Sequence, residues 1–487
     1  MQPEILTLPD AQTPQAPAQP RTPRKFRLIP RFETDPAIVN FAQTVRGKLV
    51  LLAIFGLTLS MLDAQWWIKL ALVSCMAFAP KMRNLFLLIG AILLTDILSF
   101  EGGQLTRFLP SGTAPSRWND LLWVVLPFVL LSAGLMWVAT NYRESVIARR
   151  PLLSLLAICG VSISLACYAP LTGFPRYAVW AFAITFSGYL WFLAYALTDC
   201  ASGRGQKIPY QFGAFRPFWA LGVVPVPKGW GHWRRIEAKT PEDLAVTMIK
   251  GVKLIVWCLL LVFVNRCYGF IVYEKLRIPY PSDCLQAMLA GRPLPFAMNW
   301  ASWPADLLAE ILSIAIRTHA FIATCRMGGF RALRNTYAPL ASRTIAEYWN
   351  RYYYYFKELL VDMFFYPTFI RCFKRRPRLR LFFATFVAAG FGNTLYHFLF
   401  HISTASRFGL LSYISSYRGY LFYSLLLALG ISISQIRSRK SLGSRGWLRE
   451  RVIAPACVVS FYCFVHVFVV ASPWDGMRYL AYLCTGR

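Results

Sequence analysis

The chain is predicted to be an all-α, polytopic integral membrane protein with about eleven transmembrane helices. Three observations predict this class: 56% of the 487 residues are hydrophobic, the mean hydropathy is +0.45, and only 15% of the residues are charged. Soluble domains have about 25% charged residues, so this composition excludes an ordinary soluble enzyme. The lipid bilayer is therefore the first partner that the sequence predicts.

Apolar runs recur along the chain at lengths that suit a bilayer crossing, which takes roughly 20 residues in a helix. The first two runs are short, and a single broken hairpin is an alternative interpretation of them. The runs cover residues 48–62, 66–79, 84–100, 119–140, 152–169, 177–198, 250–272, 298–325, 380–401, 409–435 and 452–472.

The net charge is +30, and the Lys and Arg residues that produce it lie mainly in the connections between these runs. Lys and Arg recur after every second crossing, as the positive-inside rule predicts. The basic connections are residues 21–31, 81–83, 143–150, 204–253, 326–343 and 437–451. We therefore expect a cytoplasmic N-terminus and an external C-terminus. Because topology accounts for the charge, we expect no nucleic-acid partner.

Residues 344–370 interrupt this alternation, since the basic stretches 326–343 and 371–380 flank them on both sides. Both ends are expected inside, which predicts a re-entrant or interfacial helical hairpin and not a crossing. Irregular backbone at membrane depth is tolerated only when protein buries it or it lines a cavity. Asn350 and Tyr353 are thus expected beside a cavity.

Residues 326–371 and the apolar stretch after them contain the sequence motifs that bear on function. The aromatic and basic run EYWNRYYYYF includes Trp349, Asn350, Arg351 and Tyr353, and His397 follows in FGNTLYHFL. Other motif positions are Arg326, Gly329, Phe330, Asn335, Pro339, Asp362, Met363, Phe364 and Phe365. In these residues the chain resembles the membrane-bound O-acyltransferase (MBOAT) family, and within it the bacterial alginate- and teichoic-acid-type and wax-synthase-like enzymes.

The chain departs from the family pattern at several positions. Tyr353 replaces a histidine of the bacterial enzymes, while Thr394 and Phe398 replace glycines around His397. The resemblance implies that His397 is the catalytic base, with Asn350 and Tyr353 as further catalytic residues. It also implies substrate binding by Trp349, Arg351 and Asn335.

The residue chemistry is consistent with these roles. An ionisable residue in a membrane helix is costly and indicates a function, and an imidazole can accept a proton near neutral pH. His401 is an alternative base, because it lies one helical turn after His397. Asp306 and Glu310 are expected to face an aqueous vestibule.

The resemblance implies transfer of an acyl group from a thioester, acyl-CoA or an acyl carrier protein, to a hydroxyl acceptor. We expect no bound cofactor and no metal site, since the cysteines lie mostly in apolar runs without a CxxC pair. A polysaccharide- or lipid-biosynthesis protein is a further possible partner. A bacterial inner membrane is the expected location. The competing interpretation is a non-catalytic scaffold or lipid/glycan translocator with the same fold.

These expectations divide the chain into five parts. Residues 1–45 are predicted to be a disordered basic cytosolic tail, without the apolar core of a signal peptide. The other parts are N-terminal helices at 46–200, an interfacial or cytosolic loop at 201–248, a catalytic core at 249–475 and a C-terminal tail at 476–487.

Overall fold

The computed structural model describes residues 28–94, 105–109, 116–203, 205, 207–219, 228–437 and 446–486. These residues are mostly helical and include no β-strand, only an isolated bridge between Glu237 and Phe330. The first 27 residues of the predicted tail and residues 95–100 of the third predicted span lie outside the described residues.

The main helices follow one another with short connections. In chain order they are α1 Pro36–Gln43, α2 Val45–Ser60, α3 Trp66–Phe78, α4 Arg83–Leu94, α5 Arg117–Asn141, α6 Pro151–Tyr168, α7 Gly173–Ala201, α8 Ile208–Phe215, α9 Trp230–Ile236, α10 Pro241–Lys275, α11 Pro281–Leu289, α12 Phe296–Met327, α13 Ile345–Tyr352, α14 Tyr354–Leu360, α15 Pro377–Phe386, α16 Ser403–Phe408, α17 Leu410–Ser416, α18 Arg418–Arg437, α19 Arg449–Val470 and α20 Pro473–Thr485.

Two helices continue beyond these bounds through π-helical turns. Helix α14 passes through Val361–Phe365 into Tyr366–Arg371, and α15 passes through Val387–Gly392 into Asn393–Phe400. We refer to each continuous rod by its first label. The two rods approach closely at their π segments, where a Cβ added at Gly392 would lie 2.7 Å from the Phe364 ring.

Seven of the described helices are long and apolar enough to cross a membrane: α5, α6, α7, α10, α12, α18 and α19. Two bent pairs near the N-terminus, α1 with α2 and α3 with the helix ending at Leu94, raise the number to nine if each pair is one span. The chain is therefore a polytopic helical membrane protein. The predicted number of eleven crossings stays a prediction.

The predicted disordered tail is corrected in its last part. Residues Pro36–Gln43 form α1, whose first turn is capped by the Asp35 side chain accepting a hydrogen bond from the Ala37 amide. Val39 packs against Ile249 of α10 in a small apolar cluster. This burial of apolar surface explains why these residues are helical and not disordered.

Helix α7 lies at the centre of the molecule, with 78% of its most apolar window buried. Helix α15 runs antiparallel to α18, because Asn393 contacts Ser424 whereas Thr385, earlier on α15, contacts Gln435, later on α18. Small residues permit this approach: a Cβ on Gly390 would lie 3.2 Å from the Ala428 methyl. This pairing places the C-terminal end of α15 beside the N-terminal end of α18.

Candidate functional site

His397 lies in the last turn of the α15 rod, among aromatic rings from three elements. Its imidazole centroid is 5.6 Å from Phe356 of α14, 5.0 Å from Tyr420 of α18 and 6.3 Å from His401. The side chain is half-buried, whereas His401 is exposed. The His397 imidazole makes no hydrogen bond with any described residue. Neither ring nitrogen is therefore engaged by a described residue.

Tyr353 is the residue at which α13 ends and α14 begins. Its backbone leaves the helical region, with φ −143° and ψ 70°. Its ring lies 5.5 Å from Phe356, which in turn contacts His397. Tyr353 also packs against the three largest apolar clusters among the described residues. The break in the helix thus brings Tyr353 into the neighbourhood of His397 through one intervening ring.

The structure places the other predicted site residues of α13 differently. Trp349 is half-buried, and its ring lies 6.0 Å from Phe356. Asn350 is exposed and makes no hydrogen bond with a described residue. Arg351 binds Glu347 on the same helix at 2.6 Å. Of the residues on and just after α13, only Trp349 and Tyr353 share the apolar cluster that surrounds His397.

Asn335 is buried and supports the start of α14. Its side-chain oxygen accepts a hydrogen bond from the Tyr355 amide at 2.9 Å, and its carbonyl accepts one from the Tyr354 amide at 3.0 Å. Its side-chain nitrogen is buried with no hydrogen-bond partner among the described residues. Asn335 therefore accepts hydrogen bonds from backbone amides in the first turn of α14, and these amides have no acceptor within the helix itself.

Arg326 and Gly329 shape the loop that carries Asn335. Arg326 donates to the Ala332 carbonyl from Nε at 3.0 Å and from Nη2 at 2.8 Å. Gly329 has φ +89°, which side chains disfavour, and a Cβ there would lie 2.4 Å from Nη2 of Arg83. These two motif residues position the loop and do not contact His397 directly.

A second group of polar residues lies near His397. The Tyr352 hydroxyl donates to Oε1 of Glu310 at 2.8 Å, and Nε2 of His466 is 3.7 Å from Oε2 of the same carboxylate. Two tyrosines connect Glu310 and His466 to His397. The Tyr420 ring lies 5.0 Å from His397 and 5.3 Å from Tyr423, whose ring lies 6.2 Å from His466. We call His397, Tyr420, Tyr423, His466 and Glu310 the aromatic wall.

The sequence interpretation missed His466 and the partners of Glu310. A signal for His466 existed, because it lies in the apolar run FYCFVHVFVV much as His397 lies in its own helix. No local signal could pair Glu310 with Tyr352, since 42 positions separate them.

A different charged network joins the loop before α9 to α14. Nζ of Lys228 lies 3.0 Å from Oδ2 of Asp362 and 3.7 Å from Oε2 of Glu358. The Tyr195 hydroxyl donates to the same Asp362 oxygen at 2.6 Å. We call Lys228, Asp362, Glu358 and Tyr195 the loop anchor. Every charge in it has an oppositely charged partner within the group.

His232 of α9 lies beside the loop anchor. Burial, together with the positive charges of Lys228 and Arg235, lowers the pKa of His232 to about 3, against a smaller opposing effect of Asp362. Its Nε2 is buried and has no described hydrogen-bond partner. His232 is therefore neutral at physiological pH, and its ring packs against Trp233 and Tyr355.

A groove of about 1280 Å³ opens between α13, α15, α18 and α19. Its floor is apolar, and its lining includes the basic residues Arg343, Arg378, Arg437 and Arg449. Arg343 pairs with Glu450 at 3.0 Å, whereas the other three arginines form no ion pair with a described residue. The groove thus combines an apolar surface with unneutralised positive charge.

In comparisons with known proteins, the chain matches no family model and no curated protein sequence. The similarity to the MBOAT family therefore depends on the motif residues alone.

Proposed function

We propose that this membrane protein is an O-acyltransferase of the MBOAT type, which moves an acyl group from a thioester to a hydroxyl acceptor. The observation that carries the proposal is the environment of His397. This half-buried imidazole has no polar partner among the described residues and lies one ring away from the helix break at Tyr353. An ionisable side chain inside a membrane is costly, and its presence there indicates a functional site.

The proposed chemistry assigns the proton transfer to His397. The imidazole accepts the proton of the acceptor hydroxyl as that oxygen attacks the thioester carbonyl carbon. The new C–O bond forms, the C–S bond breaks, and the thiolate leaves with the electron pair. The proton then passes from the imidazolium to the thiolate or to water, which restores the base.

Stabilisation of the developing oxyanion needs a hydrogen-bond donor near His397. The proposal gives this role to Tyr353, because its ring shares Phe356 as a neighbour with His397. Asn350 is the alternative donor, but its exposed side chain would have to meet the substrate from another direction. Trp349 contributes an apolar surface to the same cluster.

The groove supports a phosphate-bearing thioester as the donor. Its unneutralised arginines suit the phosphates of acyl-CoA or the acidic surface of an acyl carrier protein, while its apolar floor suits an acyl chain. Arg351 lies beside this groove in a neighbouring depression of about 720 Å³ that shares Arg343 and Glu450 with it. The positive charge also favours a cytoplasmic position for this end of the molecule.

The proposed topology includes a re-entrant segment at residues 344–370. Ile345, at the start of this segment, and Leu381, shortly after its end, line the same groove. Together with the basic residues at both ends, this supports a segment that enters and leaves on one side. We propose the same orientation for the whole chain as the charge alternation predicts, with a cytoplasmic N-terminus in a bacterial inner membrane.

A non-catalytic scaffold or translocator is the second candidate, and one observation favours it. The immediate neighbours of the His397 ring are aromatic, and none of them forms a hydrogen bond with it. A scaffold does not need polar contacts to the His397 imidazole, whereas in a transferase the substrate must supply them.

Mass spectrometry of membrane lipids and surface glycans tests the proposed function. Cells with the protein are compared with cells that lack it and with cells that carry the His397→Ala variant. We expect an acylated product only with the wild-type chain. A product of equal amount in the His397→Ala cells would exclude His397 as the base, and identical profiles in all three strains would favour the scaffold.

A further inference from the structure

Glu310 is a carboxylate on α12, one of the helices that can cross the membrane. Its two oxygens face different helices: Oε1 accepts the hydroxyl of Tyr352 at 2.8 Å, and Oε2 lies 3.7 Å from Nε2 of His466 on α19. A carboxylate in such a helix is costly and marks a functional site when it faces the interior of the bundle. Its contacts with α13 and α19 place Glu310 in that interior.

Glu310 and His466 are accessible despite these neighbours. The Glu310 side chain is 40% exposed and that of His466 is 23% exposed. Tyr348 and Tyr462, by contrast, are almost completely buried behind them. A ligand can therefore reach both the carboxylate and the imidazole.

Two tyrosines of α18 connect the pair of Glu310 and His466 to the candidate base. Tyr420 and Tyr423 lie one turn apart on α18, and they contact His397 and His466, respectively, at ring distances of 5.0 and 6.2 Å. The rings of Tyr420 and Tyr423, 5.3 Å apart, therefore link the two histidines in one row of side chains. An acceptor molecule that lies along this row would meet His397 at one end and the pair of Glu310 and His466 at the other.

The residue types select the chemical group that the pair binds. The Glu310 carboxylate repels a phosphate, and its contact with the His466 imidazole competes with an ammonium ligand. A hydroxyl group fits both, since it donates to the carboxylate and accepts from the imidazole.

We propose that Glu310 and His466 form a second polar subsite, which holds one hydroxyl of the acceptor while His397 deprotonates another. The acceptor is then a polyhydroxylated, sugar-like molecule and not a simple long-chain alcohol. This inference rests on the proposed acyl transfer.

The kinetic test uses the full chain in lipid nanodiscs with two acceptors that share one alkyl chain. Dodecyl glucoside offers several hydroxyls and dodecanol offers one. Glu310→Gln and His466→Phe are expected to raise the KM for dodecyl glucoside about tenfold, the effect of losing one hydrogen bond to a charged group. The KM for dodecanol should change less than twofold. Glu274→Gln removes an exposed carboxylate elsewhere and should change neither value.

A labelling test does not require acyl transfer. Dicyclohexylcarbodiimide modifies protonated carboxyl groups in membranes, and peptide mass spectrometry locates the label. We expect labelling of Glu310 that dodecyl glucoside slows and dodecanol does not.

The outcomes separate the subsite from the proposed reaction. Absence of label at Glu310, equal protection by both compounds, or variants that raise both KM values equally would overturn the subsite. Selective protection without transfer to either acceptor supports the subsite, and in that case the proposed function fails alone.

Discussion

The aromatic wall and the loop anchor both contain ionisable side chains next to α13 and α14, but their charges are satisfied to different degrees. In the loop anchor, Lys228 is 5% exposed and has two carboxylate partners. In the aromatic wall, His397 has no polar partner among the described residues, and Glu310 keeps 40% of its side chain exposed.

This difference separates structural from binding roles. A buried charge that is fully paired stabilises one arrangement of the chain, because removal of one partner leaves the other uncompensated. A half-buried group without a partner adds little to folding and is free to bind a ligand. Substitutions in the wall should therefore change activity, whereas substitutions in the anchor should change stability.

The largest expected effect is on the wall. His397→Ala should reduce acyl transfer about 10²- to 10⁴-fold, the usual contribution of a general base. The variant should still fold, since only the ring contacts of the imidazole and no hydrogen bond with a described residue are lost. Turnover of a thioester in nanodiscs measures the effect. His401→Ala is the control and should keep most activity, because His401 is exposed; a larger loss in that variant would reverse the assignment.

The second effect distinguishes the two candidate partners of His397. Tyr353→Phe removes only a hydroxyl and should lower kcat about 10²-fold, as loss of one oxyanion donor does. Asn350→Ala should change kcat by a few-fold at most, since its side chain is exposed. Steady-state kinetics of both variants with one donor decides between them. A greater loss for Asn350→Ala would give Asn350 the role in place of Tyr353.

The third effect concerns the anchor. Lys228→Met leaves Asp362 without its cation, while Glu358 keeps Lys357 at 2.8 Å. The substitution should lower the free energy of unfolding by about 2 kcal/mol. Thermal unfolding in detergent measures the change. Arg149→Met, which removes an exposed pair with Glu144, should have almost no effect on unfolding. If Lys228→Met abolished turnover in fully folded protein, the anchor would belong to the active site.

The smallest effect is a pH dependence that originates beside the anchor. The folded-state pKa of His232 is lowered to about 3, whereas an unfolded histidine titrates near 6.5. Below pH 6.5 the unfolded chain therefore binds a proton that the folded chain does not, and stability falls as the pH falls towards 3. His232→Gln should reduce the stability difference between pH 7 and pH 5. An unchanged difference would mean that His232 is protonated in the folded protein.

Part of the candidate site could be predicted from the sequence because its cues are local. A histidine in an apolar helix is visible in FGNTLYHFL, and the structure confirms that His397 is helical and half-buried. The pairing of Glu310 with Tyr352 and His466 has no local cue, since the three residues belong to three helices. Asn335 shows the same limit: its side chain supports a helix that begins nineteen positions later, at Tyr354.

The sequence by itself determined the class of the protein. Long apolar runs in a chain with few charges require helices, because a helix satisfies its own backbone hydrogen bonds in lipid. Only the tertiary structure decided which polar groups are paired within the protein and which are left accessible to a ligand. The break at Tyr353, the contact of α15 with α18 and the approach of α19 to α12 bring distant residues together. Such contacts depend on packing between helices, which no local pattern specifies.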